Sequence, residues 1–176
     1  MKLKFLPFGA ALIALSPISP VMADDTGILT INASVADTTC VIKSEHLNQT
    51  INMTNIITAD LAAASPGQVV GEEAFSFDID SCPSSVSNVG VKFTYTPDAG
   101  DAQYLANTGT ATGVLLGITE TDDSRVNSGG TVWSSNFVPA NGEGTVTAHV
   151  KAYRVGSVTP VAGDINSVAT IALAMQ

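Results

Sequence analysis

The stretch Ala74-Phe75-Ser76-Phe77-Asp78-Ile79-Asp80-Ser81-Cys82 alternates apolar and polar residues without a break from Phe75 to Asp80. A period of two puts Phe75, Phe77 and Ile79 on one face of a strand and Ser76, Asp78 and Asp80 on the other. A helix would scatter these side chains around its circumference, so the segment reads as a half-buried β-strand. The same pattern recurs along the chain. Val89, Val91, Phe93 and Tyr95 alternate, then Val114, Leu116 and Ile118, then Val146, Ala148, Val150 and Ala152, and finally Ile171, Leu173 and Met175. Leu29, Ile31, Ala33 and Val35 alternate near the start. Turn-forming clusters separate the strands, as at Pro97-Asp98-Ala99-Gly100, Asn127-Ser128-Gly129-Gly130 and Asn141-Gly142-Glu143-Gly144. The one helix candidate is Ala59–Ala64, with Thr58 as its N-cap. Many short strands with almost no helix predict an all-β sandwich or barrel, in one domain without internal repeats.

Residues 1–23 stand apart. Lys2 and Lys4 precede the apolar stretch Phe5 to Leu15, Pro17 and Pro20 break it, and Val21-Met22-Ala23 places small residues at a cleavage site. This layout predicts a secretory signal peptide, removed before Asp24, because the apolar run is too short to cross about 30 Å of hydrocarbon. The full chain of 176 residues carries 16 acidic and 7 basic residues, a net charge of −9. Without residues 1–23 it has 153 residues and a net charge of −11. An acidic balance argues against a nucleic acid partner, which needs a basic patch. Two His and two Cys in all leave too few ligands for most zinc or copper sites.

Export gives Cys40 and Cys82 a role. They are an even pair in a disulfide-permissive compartment, and only one intrachain pairing exists. Their bond closes a loop worth roughly 4 kcal/mol on the chain-entropy estimate. A redox pair would stand closer together, as in Cys-x-x-Cys.

Taken in order, these blocks resemble the type 1 fimbrial family of pilin subunits from the chaperone–usher pathway. The resemblance starts at Gly27-Ile28-Leu29-Thr30-Ile31-Asn32-Ala33-Ser34-Val35 and runs into Thr38-Thr39-Cys40-Val41-Ile42. It continues through Phe75-x-Phe77-x-Ile79-x-x-Cys82, then Tyr104-Leu105-Ala106-Asn107 and Ala111-Thr112-Gly113-Val114. It ends with Ala169-Thr170-Ile171-Ala172-Leu173-Ala174-Met175-Gln176. It implies an incomplete immunoglobulin-like β-sandwich with one disulfide, completed by donor-strand exchange. The implied organisation is a signal peptide at 1–23, an N-terminal donor extension at 24–36 and a pilin domain at 37–176. It further implies a structural role without enzymatic activity or cofactor, export through the periplasm and a place in a cell-surface fimbrium that supports adhesion. The implied partners are a periplasmic chaperone, an outer-membrane usher and neighbouring pilin subunits.

Alternation alone leaves two readings of Leu29, Ile31, Ala33 and Val35: a donor strand for another subunit, or the first strand of a complete sandwich. The resemblance favours the donor, since the seven-residue step from Ala33 to Cys40 is similar to the family's spacing. In that frame Ile171, Leu173, Met175 and Gln176 form the C-terminal edge that meets chaperone or donor. Two positions depart from the family pattern. Ala33 stands where the family has Gly, and Met175 stands where it has Tyr. The rival from another class is a secreted immunoglobulin-like binding protein or afimbrial adhesin acting as a complete monomer.

Other chemistry is sparse. His46 and His149 are far apart in sequence, and no serine sits in a nucleophile elbow. Glu120, Asp122 and Asp123 read as a solvated turn in preference to a calcium site. Three Asn-x-Ser/Thr sequons, at Asn32, Asn48 and Asn52, read as chance in a chain rich in Thr and Asn. Trp133 could serve as a surface sugar platform, but a lone tryptophan in a sandwich is expected to be buried.

Overall fold

The computed structural model describes residues 40–53, 56–156 and 158–176. The predicted signal peptide, and the candidate donor residues Leu29, Ile31, Ala33 and Val35, lie outside the described residues.

Two antiparallel sheets pack face to face. One has the order β1–β2–β6–β4, from β1 (Val41–Ile42), β2 (Val69–Asp80), β6 (Gly144–Arg154) and β4 (Val114–Thr119). The other has the order β5–β3–β7, from β5 (Thr131–Trp133), β3 (Val89–Tyr95) and β7 (Ala169–Met175). The long pair is β2 with β6, where Phe75 stands opposite Ala148 and Phe77 opposite Val146. In β2, β3 and β6 the alternation read from the sequence is the alternation seen. Val89, Val91 and Val146 are fully buried, as are Ala148 and Ile79, while Lys92 and Thr94 between them face out. Phe75, Phe77 and Phe93 bring the sheets together with ring centroids 5.7–6.0 Å apart; Phe75 meets both other rings edge to face, the geometry that ring quadrupoles favour, and Phe77 and Phe93 are tilted.

Cys40 and Cys82 are disulfide-bonded. The bond ties the short β1 to the chain leaving β2, at the end of the sandwich where Gly142 bends back. The Gly142 carbonyl accepts the Cys82 N–H at 3.0 Å, and Gly142 has φ +66°. A Cβ there would stand 2.3 Å from the Cys82 carbonyl oxygen, so both backbone angle and space require glycine.

Three sequence expectations need correction. The helix spans Thr58–Ala63, so Ile57 takes the N-cap position and Thr58 is the first helical residue. It is held by Leu61, buried against Val114 and Ala152, and not by a side-chain cap. Trp133 is only half-buried. It lies on the outer surface of β5 beside Gly90 and does not enter the core. The strand read at Ala74–Asp80 begins five residues earlier, at Val69. Its acidic start, Glu72-Glu73, is accommodated because Lys151 stands opposite Glu72 on β6, with Nζ 3.4 Å from Oε2.

Candidate functional site

Among the described residues, the sandwich is open along one side. β1 pairs with β2 only at Val41–Asp80 and Ile42–Ile79. Beyond it the chain makes a 3-10 turn at Ser44–His46 and runs past β2 as an irregular strap. Gln49 Nε2 donates to the Ser76 carbonyl oxygen at 2.7 Å, and the Lys43 N–H donates to the Asp78 carbonyl oxygen at 2.9 Å. Thr145 donates its hydroxyl to Asp78 at 2.9 Å, which holds that carboxyl below its usual range. The charges of Lys43 and His46 act in the same direction.

Between this strap and β7 runs a groove of about 970 Å³. Phe75, Phe77, Phe93 and Ile118 form its floor, which is the sandwich core itself. Met53, Ile56 and Leu61 line the end near the helix, and Ala169 and Ile171 line the wall formed by β7. Apolar side chains around it stay wet. Leu47 is 49% exposed and Val161 54%, and Val168, just ahead of β7, is 81% exposed.

The inward residues of β7 show the same opening. Ala169, Ile171 and Leu173 pack against the core yet are only partly buried, whereas their neighbours on β3 are closed off. Met175 shares their parity and is 42% exposed. Gln176 is fixed by its backbone, which exchanges hydrogen bonds with Asn88 and also accepts the Ser87 N–H. Of the four C-terminal residues singled out in the sequence, Ile171 lines the groove. Leu173 and Met175 continue the same strand beyond it, and Gln176 follows its end.

The strand edges differ in how they are protected. β1 has two residues and is followed by Lys43, and β5 has three. The outer edge of β4 is occupied, since Leu105 N–H donates to the Leu116 carbonyl oxygen at 2.8 Å and Val126 N–H to that of Ile118 at 2.9 Å. β7 has seven residues and carries neither charge nor proline. Among the described residues it pairs only with β3.

The remaining candidates separate. His46 pairs with Asp78 at 3.5 Å, and His149 pairs with Glu72 on the outer face of the sheet. Asp123 pairs with Lys151 instead of forming a cation cage with Glu120 and Asp122. No group of three or more His, Cys, Asp or Glu side chains converges on a metal position among the described residues. Sequence reading missed two arrangements on this outer face. Lys151 is almost fully buried, and Arg125 stacks between Tyr104 and Tyr153, with Cζ 4.3 and 3.9 Å from their ring centroids. Alternation marks these positions as outward-facing, but it carries no sign that the 97–106 and 120–125 loops cover them.

Known proteins share this architecture. A subunit of a chaperone–usher pilus rod matches with a TM-score of 0.65 and 18% identity, over 90% of this chain and 100% of that one. The P pilus rod subunit PapA matches with a TM-score of 0.62 and 17% identity, over 78% and 99%. Among curated proteins, the type-1 fimbrial protein A chain of Escherichia coli is 26% identical over 156 residues, 85% of this chain and 84% of that protein. The S-fimbrial adhesin protein SfaS of a uropathogenic Escherichia coli strain is 28% identical over 171 residues, 97% of each. The family model for fimbrial proteins matches residues 29–176. The chain is therefore a member of the fimbrial protein family, the structural subunits of chaperone–usher pili, which are fibres of the cell surface and not enzymes.

Proposed function

We propose that this chain is a structural subunit of a bacterial surface fimbria and polymerises by donor-strand complementation. The observation that carries the reading is the coincidence of an open core groove with the uncharged outer edge of β7. An added strand beside β7 gains main-chain hydrogen bonds from that edge and fills the groove with every second side chain. The segment 24–36 of a neighbouring copy has the required pattern, with Leu29, Ile31, Ala33 and Val35 on one face. Burying three large aliphatics at about 1.5–3 kcal/mol each contributes several kcal/mol per joint before ordering costs.

The same edge explains the need for partners before assembly. A subunit with an uncovered groove and a pairing edge aggregates. A periplasmic chaperone covers both, and an outer-membrane usher is where the neighbour's segment replaces it. The finished fibre serves adhesion. Ala33 adds one methyl where the family carries Gly, so either the acceptor groove is wider there or strand exchange is altered. Met175 replaces the family's Tyr with an adaptable apolar side chain.

The test is the double substitution Leu29→Glu with Ile31→Glu. Fibres should disappear from the cell surface while the monomer still co-purifies with its chaperone. Normal fibres from the double variant would overturn the donor assignment. A chain that accumulates as a stable, soluble monomer without any chaperone would favour the complete-sandwich alternative.

A further inference from the structure

We propose that Met53 and Met175 are oxidation sites, at which a peroxide converts the thioether to a sulfoxide and so hinders entry of a strand into the groove. The proposal rests on the strand-donation reading above and adds a condition under which assembly slows.

Of the four methionines, Met1 and Met22 fall within the predicted signal peptide. The other two both sit where a strand would be received. Met53 lines the helix end of the groove beside Ile56 and Leu61, and packs against the cluster of Leu61, Val114 and Ala152. Its methyl group lies 3.6 Å from where a Cβ would stand on Gly71, the β2 residue opposite Ala152, so the thioether rests against β2. Met175 ends β7 on the parity of Ile171 and Leu173, opposite the fully buried Val89, and is itself 42% exposed. A strand paired along the whole of β7 passes over it.

Both thioethers are open to a small oxidant. Met53 is half-buried and borders a groove of about 970 Å³, far larger than a molecule of hydrogen peroxide. No thiol competes for the oxidant, because Cys40 and Cys82 are bonded to each other and are the chain's only cysteines. In the reaction a sulfur lone pair attacks one peroxide oxygen. The S–O bond forms as the O–O bond breaks, sulfur is oxidised, and the second oxygen leaves as water.

The product keeps the length of the side chain and replaces a soft apolar sulfur with a strong dipole. In an empty groove water solvates that dipole. A strand that fills the groove removes the water and leaves the sulfoxide of Met53 facing Ile56, Leu61, Val114 and Ala152, which offer it no side-chain donor. A polar group buried without a hydrogen-bond partner costs enough to weaken strand uptake about tenfold. The finished fibre is spared, because the inserted strand excludes the oxidant. The effect therefore falls on subunits still awaiting a neighbour, and methionine sulfoxide reductases reverse it.

The test treats the chaperone-released chain with hydrogen peroxide and follows each methionine by mass spectrometry. Strand uptake is read as the rate of forming an SDS-resistant complex with a peptide of residues 24–36. Both thioethers should gain one oxygen atom, uptake should slow about tenfold, and methionine sulfoxide reductases should restore it. Trp133 emission should stay unchanged, which shows the fold intact. The double variant Met53→Leu with Met175→Leu keeps both positions apolar. Whatever its starting rate, it should hold that rate after peroxide. Met53 in assembled fibres should stay unoxidised under the same treatment. Unchanged uptake by the doubly oxidised chain, equal slowing of the leucine variant, loss of fold on oxidation, or equal oxidation of Met53 in fibres would each overturn the proposal. An untreated chain that takes up no peptide would count against strand donation instead. Binding of an apolar dye in the groove then decides the oxidation sites, and equal binding before and after peroxide would overturn them.

Discussion

Phe75 and Phe93 meet edge to face across the two sheets with ring centroids 6.0 Å apart, yet only Phe93 is sealed from solvent. Phe93 is 2% exposed in the middle of β3. Phe75 is half-buried because the groove opens along its other side. Two similar side chains in one cluster therefore differ in setting: Phe93 is sealed in the core, and Phe75 borders the groove.

Phe93→Ala should remove about 3–5 kcal/mol of folding stability, the usual cost of emptying a packed aromatic site. Phe75→Ala should cost clearly less in the isolated subunit, because its ring is already partly wet. In assembled fibres Phe75→Ala should instead weaken the joints and lower the temperature at which SDS dissociates them. Urea midpoints of chaperone-released subunits, set beside fibre dissociation temperatures, check both halves.

Gly90→Ala should destabilise the fold by about 1–3 kcal/mol, the range for forcing one methyl into a filled space. The new Cβ would come within 2.8 Å of the Trp133 ring, the Thr131 methyl and the Val132 carbonyl oxygen. The indole has to move outward, so tryptophan emission should shift to the red along with the drop in urea midpoint. Trp133 is the only tryptophan in the chain, which makes the signal unambiguous.

Acid should loosen the groove's β2 side through Asp78. Its carboxyl is held below the usual range, first by the Thr145 hydroxyl and then by the charges of Lys43 and His46. A depressed folded pKa contributes stability above the unfolded value of about 3.9 and loses it as pH falls through the folded value. Asp78→Asn should therefore lower the urea midpoint at neutral pH and flatten the acid limb of the stability profile below about pH 4. Identical profiles for the two proteins would show that the carboxylate contributes nothing.

Much of the fold is legible in the sequence because strand character is written locally. Phe75-x-Phe77-x-Ile79 and Val146-x-Ala148-x-Val150 each state which face is buried without reference to any other segment, and both faces are as read. The cysteines are legible for a different reason: two in an exported chain allow a single pairing, and it is the one formed. Val69–Glu73 and Thr131–Trp133 were not legible as strands. Neither alternates over a useful length, and each is ordered by what lies beside it: Lys151 across from Glu72, and Gly90 across from Trp133.

By itself, then, the sequence determined the all-β class, the disulfide, the buried face of each long strand and the family blocks at both ends. Alternation and composition act over a few residues, within reach of the chain's own stereochemistry. Tertiary structure alone decided that β7 is an outer strand whose far edge meets no other described strand, and that the groove beside it reaches Phe75. Those facts depend on which strands pair and which loops fold over them. Such pairings join residues far apart in the chain, such as Val69 with Tyr153 and Val89 with Met175. No local pattern records that choice, because it is set by the competition among all strands for neighbours and by the burial each arrangement achieves.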